Sequence, residues 1–170
     1  MILIFEETKR YSEMGSYFFL FYHIVMVVDK RANVITENNE KRLYDYIGAF
    51  FRNRQSHLEI VNGVQNHIHL LVSIHSTECL ADIMRDLKTA TNRFIKKEKL
   101  FPKFKKWQNG YAAFTISHYK VEVVRKYIAR QKQHHYKTKF ESEYKVLLDA
   151  HKIPYNPEDI FGDLPFEKKS

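Results

Sequence analysis

His67 and His69 flank Ile68 within the apolar run Ile68-His69-Leu70-Leu71-Val72. On a strand, residues i and i+2 project from one face while the residue between them enters the opposite layer, so this spacing presents two imidazoles side by side. That is half of a metal site. Taken alone the pair fits core or surface histidines as well as ligands, because two donors hold a metal poorly. A second stretch adds to it. Val123-Val124-Arg125-Lys126-Tyr127-Ile128-Ala129-Arg130-Gln131 reads as helix, and Tyr127 and Gln131, four residues apart, share one face of it. Gln131 is an oxygen donor and the candidate third ligand. Imidazole with amide oxygen suits Mg²⁺ or Mn²⁺ acting on phosphate better than a closed structural zinc site. A phenol with a pKa of about 10 is a poor nucleophile at neutral pH, and by itself Tyr127 is a packing residue. Within reach of a cation held by His67, His69 and Gln131, its oxygen could attack a phosphorus whose charge that cation screens. His134, seven residues beyond Tyr127, is a further candidate for proton transfer or DNA contact.

Chemistry on phosphate calls for a polyanionic partner, and the charge distribution supplies the complement. The net charge is +8, but residues 85–139 hold 16 Lys or Arg against only Asp86, Glu98 and Glu122, so the remainder of the chain is net acidic. Phe94, Phe101, Phe104, Trp107, Tyr111 and Tyr119 are interleaved with these cations. Phosphate-neutralising side chains beside stacking rings are what a single-stranded nucleic acid needs. The candidate DNA contacts are Lys88, Arg93, Lys103, Lys105, Lys106, Trp107, Tyr111, Arg130 and His134.

The elements that position these residues follow from periodicity. The 170 residues, with ordinary apolar (44%) and charged (28%) fractions, predict one domain over 1–150 and an irregular tail over 151–170 marked by Pro154, Pro157 and Gly162. The apolar stretch 17–28 is too short to span a bilayer and lacks a signal peptide's leader, so it predicts a central buried strand. Thr36 can cap a helix carrying Leu43, Tyr44, Ile47, Phe50 and Phe51. Leu58–Val61 and Ile68–Ser73 predict two strands joined by a turn containing Asn62-Gly63. A second helix is expected from about Cys79 to Lys97, with Ser76 or Thr77 as cap, then a strand over Tyr111–Ile116. The order βαββαβ is the split, ferredoxin-like arrangement of an α+β fold. A third helix, about Tyr119 to His135 with Ser117 as cap, carries the tyrosine, and a short fourth covers Phe140–Leu148. The single cysteine, Cys79, excludes an intrachain disulfide and a Cys-based zinc finger, and suits a cytoplasmic chain.

These blocks together resemble the single-tyrosine transposases of small insertion sequences, IS200-like members of the HUH endonucleases, and their relatives the REP-associated tyrosine transposases. The resemblance runs from about Tyr22 to Tyr155. It rests on Asn62-Gly63 followed by Asn66-His67-Ile68-His69-Leu70-Leu71-Val72, on Trp107-Gln108-Asn109-Gly110-Tyr111 leading to Phe114-Thr115-Ile116-Ser117, and on Tyr127-Ile128-Ala129-Arg130-Gln131 before His134-His135. It implies that His67, His69 and Gln131 hold the metal and that Tyr127 is the nucleophile. It further implies cleavage and rejoining of single-stranded DNA near hairpins through a 5′-phosphotyrosine link. No nucleotide cofactor and no membrane are expected, and a homodimer is. Many relatives carry Asp where this chain has Asn66, and a more basic segment where it has Val27-Val28-Asp29-Lys30-Arg31. Those departures bear on DNA contacts and subgroup.

Two other classes compete. A non-catalytic or domesticated nucleic-acid-binding module shares the βαββαβ topology, but needs no His-x-His, Tyr and Gln set and would show an RNP-like Lys/Arg-Gly-aromatic block, which the first strands lack. A two-histidine RNA phosphoesterase would need a second His-x-Ser/Thr motif, and His118-Tyr119-Lys120 does not supply it.

Overall fold

The computed structural model describes residues 12–13 and 16–156. Two very short strands, β1 (Ser12–Glu13) and β2 (Ser16–Tyr17), pair with each other. The main order is β3 (Phe21–Val27), α1 (Glu37–Arg52), β4 (His57–Val64), β5 (His67–Ser73), α2 (Leu80–Lys97) and β6 (Ala112–Ile116). The sheet runs β4-β5-β3-β6 with every pairing antiparallel, which is the ferredoxin-like arrangement expected. Beyond it lie α3 (Val121–Ala129), α4 (Gln131–His135) and α5 (Phe140–Ala150). Among the described residues, those up to Gln131 form one compact unit and those from Lys132 a second. The tail beyond Asn156 lies outside the described residues, and 153–156 carry no helix or strand. Among the described residues no helix is long and apolar enough to cross a membrane.

Alternation along the two central strands builds two different layers. Ile24, Met26 and Val28 of β3 and its end, with Ile68, Leu70 and Val72 of β5, join Leu43, Ile47 and Phe51 of α1 and Ile83, Met84, Leu87 and Ile95 of α2 in one core. Each such side chain contributes about 2 kcal/mol by leaving water. The intervening residues, His23 and Val25 on β3 and His67, His69 and Leu71 on β5, therefore point to the sheet's other face. Both strands are buried on both faces, so neither shows a polar side to solvent. That explains histidines inside an apolar run.

Three local expectations change. Asn62-Gly63 is not the hairpin turn: both residues lie inside β4, paired with His69 and Ile68, and the two-residue turn is Gln65-Asn66. The turn sits there because its carbonyls are used: the Gln65 oxygen accepts from the N–H groups of Val34 and Ile35, and the Asn66 oxygen from that of Val28. The N-cap of α2 is Cys79 rather than Ser76 or Thr77, and Thr36 and Ser117 take their cap positions without a side-chain bond. The third helix is not continuous: a 3₁₀ turn over His118–Lys120 leads into α3, and Arg130 leaves helical geometry (φ −99°, ψ 12°) before α4 begins.

Gly63 is glycine for a packing reason. A Cβ there would lie 2.2 Å from the His67 carbonyl oxygen and 2.8 Å from Ile68 Cα, both backbone atoms of the partner strand. Gly63→Ala is expected to cost about 3 kcal/mol, at the upper end of overpacking, read as a lower denaturant midpoint with an unchanged slope. An unchanged midpoint would mean the hairpin opens without strain.

Candidate active site

The site is built on the sheet face away from α1 and α2. His67 and His69 are fully buried, their ring centroids 5.0 Å apart at 72°, and a ring nitrogen of each lies within 4.8 Å of the other's. Their Nδ1 atoms are both engaged. His67 Nδ1 donates to the Asn66 side-chain oxygen at 2.6 Å, which places that ring's lone pair on Nε2. His69 Nδ1 is 2.9 Å from His23 Nε2, one of the two donating. A hydrogen bond that holds the Nδ1 side and leaves the lone pair on Nε2, as at His67, is the arrangement metal-binding histidines use; at His69 the same tautomer requires its Nδ1 to be the donor to His23.

Tyr127, half-buried, stands edge-on to this group, its ring 5.9 Å from His69 and 6.0 Å from His23 at near-right angles. It is brought there by α3, which lies across β4 and β5. Val124 and Ile128 fall on the same helical side as Tyr127, and Ile128 is completely buried. Gln131 is also completely buried, but it opens α4 beyond the break, so the bend at Arg130 and not a single helical face relates it to Tyr127. His67 and His69 offer two buried imidazoles and Gln131 a buried carboxamide, and imidazole with amide oxygen is a donor chemistry that fits a divalent cation of the Mg²⁺ or Mn²⁺ type. His23 and Asn66 join the site without belonging to the His67, His69, Gln131 and Tyr127 set that the sequence marks. For His23 the signal was present: a histidine at the centre of an apolar strand asks for a buried partner.

The candidate DNA contacts separate into groups. Arg93, Lys103, Lys105, Lys106 and Arg130 are exposed, and Lys106 lies 3.8 Å from Asp29. Trp107 is only 2% exposed, with Nε1 donating to Thr91 Oγ1 at 2.8 Å, so its ring belongs to the core and does not stack on a base. Tyr111 is 36% exposed. His134, in the second unit, lies 3.8 Å from the buried Glu143 carboxylate, and His135 lies 2.9 Å from it.

Lys88 is a clamp. Its Nζ donates to the carbonyls of Gln108 (2.8 Å), Asn109 (2.8 Å) and Gly110 (2.5 Å), and stands over the Tyr111 ring. Burial pulls its pKa down to about 8. Below that value both folded and unfolded chains hold the proton; between about 8 and the ordinary lysine value the unfolded chain binds more of it, so this group makes stability rise with pH. Lys88→Met should remove that increment, seen as a flatter melting-temperature profile between pH 7 and 10. Equal slopes in the two proteins would contradict it.

The model of the family described as transposase IS200-like matches residues 16–131. No curated protein matches the chain in sequence. Among solved structures it is similar to a candidate transposase from Deinococcus radiodurans R1, with 20% identity and a TM-score of 0.57, over 71% of this chain and 96% of that one. A REP-associated tyrosine transposase bound to a REP hairpin aligns at 13% identity and a TM-score of 0.46, over 87% and 79% of the two chains. The first likeness is one of fold.

Proposed function

This chain belongs to the IS200-like transposase family, and from that premise we propose that it cuts and rejoins single-stranded DNA at hairpin-bearing ends, with Tyr127 as the nucleophile. The observation that carries the reading is the Tyr127 ring set edge-on to His69 beside His67 on a single sheet face. Tyr127 Oη bonds to phosphorus as the bond from phosphorus to the 3′ oxygen breaks; the phenolic proton is given up and the leaving oxygen takes one to become a 3′-hydroxyl. The product is a 5′-phosphotyrosine, and a 3′-hydroxyl attacking it restores the phenol and a phosphodiester. One ester replaces another, so no external energy source enters.

The chain's own residues divide the work. His67, His69 and Gln131 would hold a divalent cation, which when bound supplies charge neutralisation at the scissile phosphate. Asn66 and His23 keep the two imidazoles oriented. Exposed Arg93, Lys103, Lys105, Lys106 and Arg130 neutralise the strand's phosphates, and Tyr111 offers its edge to a base. We also infer a homodimer as the working form, from the resemblance to the family.

The test is incubation of a labelled hairpin single strand with the protein and Mg²⁺ or Mn²⁺. A protein-DNA adduct that survives denaturant is expected together with a released 3′-hydroxyl strand. Metal-independent binding without any covalent product would instead make this chain a hairpin-binding protein.

A further inference from the structure

The break after the tyrosine helix has a consequence on the neighbouring strand. Ile128 and Ala129 are the last two residues of α3, where the carbonyls lose the N–H partner four residues on, and the Arg130 N–H turns back only as far as the Tyr127 and Ile128 oxygens, leaving room for a further donor. Asn62 supplies one: its Nδ2 donates to the Ile128 oxygen at 3.0 Å and to the Ala129 oxygen at 3.1 Å. Its Oδ1 accepts from the Gly63 N–H at 2.9 Å, so three contacts fix which end of the amide faces the helix. Asn62 also stands directly opposite His69 in the β4–β5 register. One strand pair thus carries a candidate ligand and the group that grips the helix at the residue after Tyr127.

We propose that Asn62 is a positioning residue: its carboxamide latches the C-terminal end of the tyrosine helix to the histidine-bearing hairpin and so sets Tyr127 against His69. The chemistry of the position is narrow. It needs a short side chain that donates twice toward a helix end carrying partial negative charge, while accepting from its own strand. A carboxylate has the same size and none of the donors.

The proposal rests on Tyr127 as nucleophile, and two measurements separate the failure of each. In Asn62→Asp, the first-turnover rate of adduct formation is expected to fall about 10²-fold, the loss that a misplacement of about 1 Å produces. Affinity for the single strand and for Mn²⁺ should stay as in the unaltered protein. Hydrogen exchange of the amides in 124–130 should accelerate at least tenfold, while that of 67–73 stays slow. Asn62→Ala, which removes the donors without adding charge, should show the same pattern at smaller amplitude. Unchanged exchange in α3, or exchange raised uniformly through β5 in both variants, would overturn the latch, the second by making Asn62 a general support of the fold. If the unaltered protein makes no adduct at all, the proposed function fails while the exchange result still decides the latch.

Discussion

Tyr127→Phe is expected to bind a hairpin single strand as the unaltered protein does and to form no covalent adduct with it. The substitution removes one oxygen and keeps the ring, so the edge-on contacts with His69 and His23 at about 6 Å survive. A loss of adduct therefore reports the nucleophile and not the fold. Removing a nucleophile costs on the order of 10⁴-fold or more, which takes the product below detection in a gel assay. Two other tyrosines test the assignment: Tyr119 and Tyr136 are 89% and 87% exposed, more accessible than Tyr127. An exposed phenol has no neighbouring donor set to set the phosphate in place, so both phenylalanine variants should keep full activity. An adduct that persists in Tyr127→Phe, mapped to either residue by peptide analysis, would remove Tyr127 from the mechanism.

His67→Ala and His69→Ala should each abolish Mn²⁺ binding, measured by titration calorimetry, and adduct formation with it. The orienting groups predict a graded series below that. Loss of a residue hydrogen-bonded to a ligand typically costs about 10–100-fold in metal affinity, and Asn66→Ala should fall in that range because it frees the His67 ring to change tautomer. Asn66→Asp should bind the metal at least as tightly, since a carboxylate accepts the same Nδ1–H more strongly. The His67 and His69 substitutions also empty fully buried positions, so about 2 kcal/mol of stability should go as well. Thermal shift separates the effects: Mn²⁺ should raise the melting temperature of the unaltered protein and leave either alanine variant where it was. Metal binding retained in both variants would show that the two imidazoles are core residues, the reading their apolar run alone permits.

How far the sequence carried depended on whether a residue's role is local. The alternation around His67 and His69 put both rings on one face because the strand period is fixed by backbone geometry, and the central β3 and β5 bear that out. The helical spacing of Tyr127 and Gln131 predicts one face, yet Arg130 breaks the helix between them. Nothing local marks that break, because Asn62, 66 residues from Ile128, takes up the carbonyls. Asn62-Gly63 matched a hairpin signal for the same kind of reason: both residues answer to partners across the sheet and not to a turn. Residue type alone makes Trp107 and Lys88 candidate DNA contacts, whereas in the fold Trp107 bonds to Thr91 and Lys88 to three loop carbonyls.

By itself the sequence determined the order of the main elements, the pairing of two imidazoles and the residue types of the candidate set, since periodicity and residue type act within a few positions. Only the tertiary structure decided which groups orient that set. His23 meets His69 across 46 residues and Asn62 meets the end of the tyrosine helix across 66, and contacts so distant in the chain are created by strand register, which exists only once the sheet has formed.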